Sequence, residues 1–359
     1  MLRVRDHVLH GAGRVSASGT PRTRGGRRRP AVMADVAKLA GVSHQTVSRV
    51  LHDSPHVRGD TRDRVLSAMR QLDYRPNTLA QALVTGRSRT FGVVSFDTAM
   101  YGPASTLLGI EYAAHDAGYG VSIASLRSLN RTSVLQAIQR LRDQGADGVI
   151  VIAPLKATAD ALRHLRPDVP IVAVEAGPDD SVPVVTVDQF AGAAAATRHL
   201  LDLGHRTVWH IAGPLDWIEA DERIEGWRAT LKAAGAPIPP ILRGDWTPRS
   251  GYELGQRLIE SPDVTAVFSA NDQMALGLLR LLNERGRETP GQMSVVGFDD
   301  IPEAAYFTPP LTTVRQDFPE LGRRCLHNLL AQIESGTRQP NRVVVPTELV
   351  VRSSTAPPR

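Results

Sequence analysis

The sequence predicts two architectures in one chain: a small all-α domain near the N-terminus, then an α/β body of two lobes with parallel sheets. Three observations carry this prediction. Between Met33 and Asp73 apolar residues recur at helical spacing in three short segments. From Phe91 onward short β-rich runs alternate with helical segments, as in parallel sheets covered by helices. Charge divides at the same place: residues 1–90 hold 17 Lys+Arg against 6 Asp, a net of +11, and the remainder holds 25 basic against 31 acidic residues, a net of −6. A basic front on an acidic body points to a polyanionic partner for the front alone.

Residues 1–30, MLRVRDHVLHGAGRVSASGTPRTRGGRRRP, have no apolar periodicity and no apolar core of the kind a secretory signal needs. They read as a disordered basic extension, and a translation start near Met33 would account for it. An Arg- and Ser-rich transit peptide is the alternative.

The next segment, 31–77, reads as three helices. The first, over 34–40, turns Val36, Ala37 and Ala40 inward; Gly41 ends it and Ser43 caps the next. The second, over about 44–51, turns Val47, Val50 and Leu51 inward at i, i+3, i+4. After a loop through Pro55 the third starts at Thr61, with Val65, Leu66, Met69 and Leu72 inward. A domain this small has modest stability alone.

In YRPNTLAQALVTGRS, Pro76 breaks the chain, Thr78 to Val84 has room for two helical turns, and Gly86 stops them. So short a helix is marginal in water, although Leu79, Ala82 and Leu83 share one face. Residues 78–88 therefore read as a linker that folds only in company.

The β-rich runs of the body are FGVVSF, GVSIAS, DGVIVIAP, IVAVE, VVTVD, TVWHIAG, AVFSAND and MSVVGFDD. Many end in polar residues: Asp97, Glu175, Asp188, Asn271 with Asp272, and Asp299 with Asp300. Ligands of parallel sheets bind beyond the carboxyl ends of the strands, so this set suits a ligand covered in hydroxyls. Each such residue is also an ordinary turn former.

Cys325 is the single cysteine, which excludes an internal disulfide and suits a reducing compartment. No apolar run of membrane-spanning length occurs, and no GxxxxGK[ST], HExxH, GxSxG or paired CxxC motif; the chain reads as cytoplasmic, with no metal, cofactor or membrane partner. A carboxylate pair such as Asp299 and Glu175 raises glycosidase chemistry only as a remote alternative.

Two helices joined by a glycine turn, the second with a polar face, make a helix-turn-helix. Its second helix would enter the major groove of DNA. His44 and Gln45 stand at its start, and Gln pairs bidentately with adenine; Arg49, one turn on, has the fork for guanine. Ser43, Thr46 and Ser48 are short donors suited to phosphates or bases.

The stretch MADVAKLAGVSHQTVSRVLHDSPHVRGDTRDRVLSAMRQLDYRPNTLAQAL resembles the headpiece and hinge of the lactose-repressor family of bacterial transcription factors. SANDQMALGLLRLLNERG, MSVVGFDDIPEAAYFTPPLTTVRQDF and AGPLDWIEADERIEGW resemble its effector core, especially in the lactose repressor branch. The resemblance runs from about Met33 to near the C-terminus.

It implies that Met33, His44, Gln45, Ser48 and Arg49 face bases, that Ser43, Thr46, His56, Thr61 and Asn77 lie near the DNA backbone, and that Leu83 wedges into the minor groove and bends the duplex. His44 stands where the lactose repressor has a tyrosine, so the operator sequence need not match. The core, 89–359, resembles periplasmic sugar-binding proteins, with an N-lobe of 89–187 and 318–345 and a C-lobe of 188–315 and 346–357.

Arg223, Asn271 and Asp299 match the family's polar sugar contacts, Trp246 the aromatic against the sugar's apolar face, and Gln316 and Phe318 the crossing between lobes; Met100 joins them as an effector contact. Glu175 replaces a shorter aspartate and Phe96 a serine, so both are expected to alter the pocket. The C-terminal RSSTAPPR has no leucine heptad, so the expected assembly is a homodimer rather than a tetramer. The implied protein is a repressor that a sugar releases from a pseudo-palindromic operator. The core alone would also suit a secreted sugar-transport component, which the helix-turn-helix and the missing signal argue against.

Overall fold

A computed structural model of the chain describes residues 29, 31–51, 54–75, 86–96, 99–126, 130–163, 169–177, 182–261, 263–337 and 341–359. The expected extension over 1–30, Arg29 apart, lies outside the described residues, as do Asn77, Leu83 and Asp97. The chain divides into two compact units, Met1–Thr78 and Leu79–Arg359.

The first unit contains α1 (Met33–Ala40), α2 (His44–Leu51) and α3 (Gly59–Gln71). Asp35 accepts the Val32 N–H (2.9 Å) at the start of α1. Gly41 ends α1 at φ 65°, a left-handed conformation that a side chain would strain. Val42 N–H closes the turn on Ala37 O (3.0 Å), and Thr46 N–H donates to the Ser43 hydroxyl (3.1 Å), the expected cap of α2.

Val36, Ala37, Ala40, Val47, Val50, Val65 and Ala68 form the core of this unit, with Leu51, Met69 and Leu72 partly buried against it. Leu66 corrects the sequence reading: it is exposed, and Ala68 takes the inward place. Helical geometry decides this, because Ala68 lies three residues from Val65 and shares its face, whereas Leu66 is rotated by a full residue step. The helix α3 also starts two residues before Thr61.

The second unit carries two sheets. One contains β1 (Thr90–Phe96), β2 (Gly120–Leu126), β3 (Gly148–Ile152), β4 (Ile171–Val174), β5 (Val184–Val187) and β11 (Arg342–Val345), in the order β11-β5-β4-β3-β1-β2 with every described pairing parallel. Helices α4 (Tyr101–Asp116) and α11 (Phe318–Ser335) cover one face, through Ile110, Phe318, Leu321 and Leu329. Helices α5 (Arg131–Asp143) and α6 (Lys156–Arg163) cover the other, through Val134, Ile138, Leu141 and Leu162.

The other sheet contains β6 (Trp209–Ala212), β7 (Leu242–Arg243), β8 (Ala266–Ser269), β9 (Ser294–Asp299), β10 (Thr312–Gln316) and β12 (Thr347–Val350), in the order β12-β10-β9-β8-β6-β7. Here β12 pairs antiparallel to β10, so the sheet is mixed rather than wholly parallel. Helices α7 (Gln189–Asp202) and α8 (Ile218–Ala233) pack on one face through Leu200, Ile224 and Trp227. Helices α9 (Pro248–Ile259) and α10 (Asp272–Glu284) pack on the other through Leu258, Met274 and Leu278.

All eight β-rich runs of the sequence are strands. β7, β10, β11 and β12 lie outside those runs: β7 has two residues, Arg315 and Glu348 interrupt β10 and β12, and β11 carries three apolar residues between Arg342 and Pro346. The chain passes between the two lobes three times: after β5, after β10 and after β11.

Candidate functional site

In the first unit, α2 presents two faces. Val47 and Val50 are buried, whereas His44, Gln45 and Arg49 are exposed, with no side-chain partner among the described residues. Gln45 and Arg49 stand four residues apart and so project side by side. Ser43 and Thr46 hydrogen-bond each other (2.9 Å) while capping the helix, so their hydroxyls are held at its N-terminus. Ser48 and Thr61 are half-buried and His56 is exposed. Met33, in the first turn of α1, is half-buried against the core of this unit.

In the second unit a cavity of about 330 Å³ lies between the lobes at the carboxyl ends of the strands. Glu175 follows β4, Asn271 follows β8, Asp299 ends β9 and Gln316 ends β10, and all four line it. Met100, Arg223, Trp246 and Phe318 complete the set of eight residues expected there. Three of them have left-handed backbone: Glu175 at φ 56°, Trp246 at φ 71° and Asp299 at φ 111°. Such strain in non-glycine residues gathers at binding sites, where the surrounding fold enforces it.

The polar groups of the wall are largely held by the protein. Arg223 is 2 % exposed. Its Nε donates to Gln189 Oε1 (2.8 Å), its Nη1 donates to Ala270 O, and its guanidinium lies 3.8 Å from the centre of the Phe298 ring. Its Nη2 is 3.8 Å from both Glu219 and Asp299. Asn271 caps α10, accepting Met274 N–H (2.9 Å) and donating to Trp246 O (3.0 Å) and Gln273 Oε1 (2.9 Å). Gln316 donates to Asp299 (2.6 Å) and accepts from Gln189 (3.0 Å).

Both oxygens of Glu175 are occupied, one by Val187 N–H (2.9 Å) and one by the Thr186 hydroxyl (2.7 Å). Burial, with Glu219 nearby, still raises the Glu175 pKa to about 8. Burial raises Glu219 to about 7 and Asp299 to about 6, against the opposing pull of Arg223 on each.

Trp246 meets Trp217 edge to face, with ring centres 5.5 Å apart, and its indole N–H is buried without a hydrogen-bond partner. Its ring fills the space above Gly213, where a Cβ would come within 2.2 Å of it. The lobes also touch beside the cavity. Leu155 bridges to Trp217, Ile218 N–H donates to Pro154 O (2.9 Å), and Lys156 pairs with Asp221 (2.5 Å).

Residues 32–77 match the family described as bacterial regulatory proteins, lacI family, and residues 197–355 match a periplasmic binding protein-like domain. The Lactose operon repressor of Escherichia coli is 33 % identical over 334 residues, covering 92 % of each chain. The chain belongs to the lacI family of bacterial regulatory proteins.

Other lacI-family relatives match as fully. The HTH-type transcriptional regulator CelR of Thermobifida fusca is 36 % identical, covering 91 % of this chain and 99 % of its own. The HTH-type transcriptional repressor PurR of Haemophilus influenzae is 33 % identical, covering 90 % and 98 %. Among solved structures, the lac repressor dimer bound to operator and the anti-inducer ONPF superposes with a TM-score of 0.80 at 32 % identity, covering 91 % of this chain and 100 % of that one. A CelR–cellobiose complex gives 0.67 at 34 %, covering 90 % and 99 %.

Within this lacI-family core, several strand-end residues are structural. Asp188 caps α7 at Ala191 N–H (2.9 Å). Asp272 accepts Ile301 N–H (2.9 Å) and the Thr313 hydroxyl (2.5 Å). Asp300 pairs with Arg315 (2.7 Å) and Arg352 (2.6 Å). Phe96 is corrected too: it packs against the apolar cluster of Val94, Ala124 and Leu141 and does not line the cavity.

Sequence reasoning missed Trp217, Glu219, Tyr101 and Asp245, which do line it. A signal for Glu219 existed, since it precedes Arg223 by four residues on the same face of α8.

Proposed function

We propose that this lacI-family chain represses transcription of sugar-utilisation genes. Two chains form a homodimer whose helix-turn-helix units read a pseudo-palindromic operator, and a galactoside- or glucoside-like sugar in the cleft releases it. One observation carries the reading: the same chain joins an exposed polar face on α2, with His44, Gln45 and Arg49, to a two-lobed cleft lined by strand-end acceptors and aromatic rings. The lac repressor dimer bound to operator and the CelR–cellobiose complex support it as relatives.

In this reading residues 31–77 are the reading unit, Met33, His44, Gln45, Ser48 and Arg49 touch base edges, and Ser43, Thr46, His56, Thr61 and Asn77 hold the backbone. Residues 78–88 are the hinge, with Leu83 as its minor-groove wedge. A sugar that contacts both walls of the cleft favours one arrangement of the lobes. The three crossings carry that preference through the N-lobe to the hinge, which then no longer fits the operator. The chain acts in the cytoplasm, on the nucleoid. Among the described residues no helix is long and apolar enough to cross a membrane. No catalysis is assigned to Glu175 and Asp299, which are bound into the fold, Glu175 through Val187 and Thr186 and one oxygen of Asp299 through Gln316.

The test is operator selection from random duplexes, followed by fluorescence anisotropy on the enriched site with and without mono- and disaccharides. A palindromic site of two half-sites, released by one sugar of the panel, is expected. Binding that shows no sequence preference, or an operator complex that no sugar disturbs, would overturn the proposal.

A further inference from the structure

Resting on the reading of the cleft as the effector site, we infer that it selects by charge: it takes an uncharged, hydroxyl-rich glycoside and rejects the same glycoside bearing a phosphate or carboxylate, with Glu219 the residue that sets the selection.

Among the described residues the lining carries Glu175, Glu219, Asp245 and Asp299, with Arg223 as its one cation. That cation is already committed. Gln189 and Ala270 take two of its donors, Phe298 takes its face, and its remaining nitrogen lies 3.8 Å from both Glu219 and Asp299. An incoming anion would compete with two carboxylates for one partly spent guanidinium.

Helix N-termini, the other common anion sites, are mostly closed here. At α10, Asn271 caps the Met274 N–H, and the buried Asp272 of the first turn is held by Ile301 N–H and the Thr313 hydroxyl. At α9, the Thr247 hydroxyl takes the Ser250 N–H (3.2 Å) and Pro248 has no N–H to give. Two helices, α4 after Met100 and α8 after Trp217, reach the cavity without a side-chain cap. Each N-terminus amounts to about half a positive charge, and at α8 Glu219 and Asp221 in the first turn already answer it.

The same wall is well suited to hydroxyls. The buried carboxyl group of Glu219, its pKa raised to about 7, both donates and accepts while it keeps its proton, and the buried indole N–H of Trp246 is an unspent donor. Trp217 and Trp246 add apolar faces for a sugar ring.

Glu219 stands at the centre of this field. Around it are Arg223 and Glu222 on its own helix, Glu175 after β4, Arg342 on β11 (3.6 Å from Glu222), Asp299 after β9, Asp188 at the start of α7 and Asp245 at the rim. Raising the pH ionises the carboxyl groups, so rejection of anions strengthens between pH 6 and pH 8.

The experiment is calorimetric titration of the full chain with cellobiose, lactose and the sugars active in the anisotropy screen, each beside its phosphorylated, carboxylate and amino analogues. The neutral sugar is expected to bind at least 100-fold more tightly than its anionic analogues. The amino analogue should bind within tenfold of the neutral sugar. At pH 8, where Glu219 is ionised, the anion-to-neutral affinity ratio should rise about tenfold in Glu219→Gln, and in the natural chain it should fall from pH 6 to pH 8. An anionic analogue that binds as tightly as its parent overturns the inference while leaving the sugar reading intact. So does an unchanged ratio in a folded Glu219→Gln, or, where that variant does not fold, a ratio independent of pH in the natural chain. A chain that binds none of the sugars overturns the sugar reading and this inference together.

Discussion

Arg49 and Arg223 have the same side chain in opposite situations. Arg49 projects from α2 with no side-chain partner among the described residues, and its fork is free to meet a base edge. Arg223 is almost wholly buried in the C-lobe, spends two donors on Gln189 and Ala270 and stacks on Phe298. The first costs the fold little and is available to a partner. The second is part of the fold, and whatever it does for a ligand it does from a fixed position. Arg223 is therefore not a contact reserved for ligand, and a variant there tests stability and binding together.

The largest effect should come from breaking the buried arginine. Arg223→Ala leaves Glu219 and Asp299 without their cation and opens a void beside Phe298, and removing one partner of a buried pair costs about 3–5 kcal/mol. We expect a clear drop in the thermal midpoint of the core together with loss of sugar response. An unchanged midpoint would erase the contrast with Arg49.

A smaller effect is expected at Arg49 and in a different observable. Arg49→Ala should leave the thermal midpoint nearly unchanged and weaken operator binding by about 1–3 kcal/mol, with relaxed preference at one base position. Equal loss on all duplexes would make Arg49 a phosphate contact. Salt sharpens the same contrast: affinity for DNA should fall by orders of magnitude between about 50 and 200 mM salt. Binding of a neutral sugar at the buried site should barely move.

The last effect is one of pH, small at each step and spread over several pH units. An unfolded glutamate loses its proton above its ordinary value of 4.5, whereas Glu175 in the cleft keeps it up to about 8. The folded chain therefore binds more protons in that window. Stability should fall as pH rises through it, by at most about 1.4 kcal/mol per pH unit for each retained proton. Glu175→Gln, which imitates the neutral acid, should flatten this slope in denaturant titrations run between pH 5 and pH 8. A slope unchanged by the substitution would assign it to other groups.

Much of this was legible in the order of residues. The helical spacing of Val47 and Val50 settles which side of α2 is covered, so the exposure of His44, Gln45 and Arg49 follows from sequence alone. Gly41 and Ser43 mark the turn because their roles are local, a left-handed backbone and a cap at i, i+3. The eight apolar runs declare themselves as strands, and their polar ends mark the side of the sheets where the cavity lies.

What only the tertiary structure decided is which of those polar ends face the cavity. Glu175, Asn271 and Asp299 do, while Asp188, Asp272 and Asp300 turn to Ala191, Thr313 and Arg315. Neighbouring residues at a strand end point in different directions, and the choice between them depends on partners as far away as the 41 residues that separate Asp272 from Thr313. Phe96 turns into the core for the same reason. The commitment of Arg223 to Gln189 and Ala270, and its approach to Glu219 and Asp299, likewise join α7, α8, β8 and β9. Local spacing carries helices, turns and strands because their interactions span a few residues. Hydrogen-bond partners drawn from four distant segments are settled only when the chain has folded.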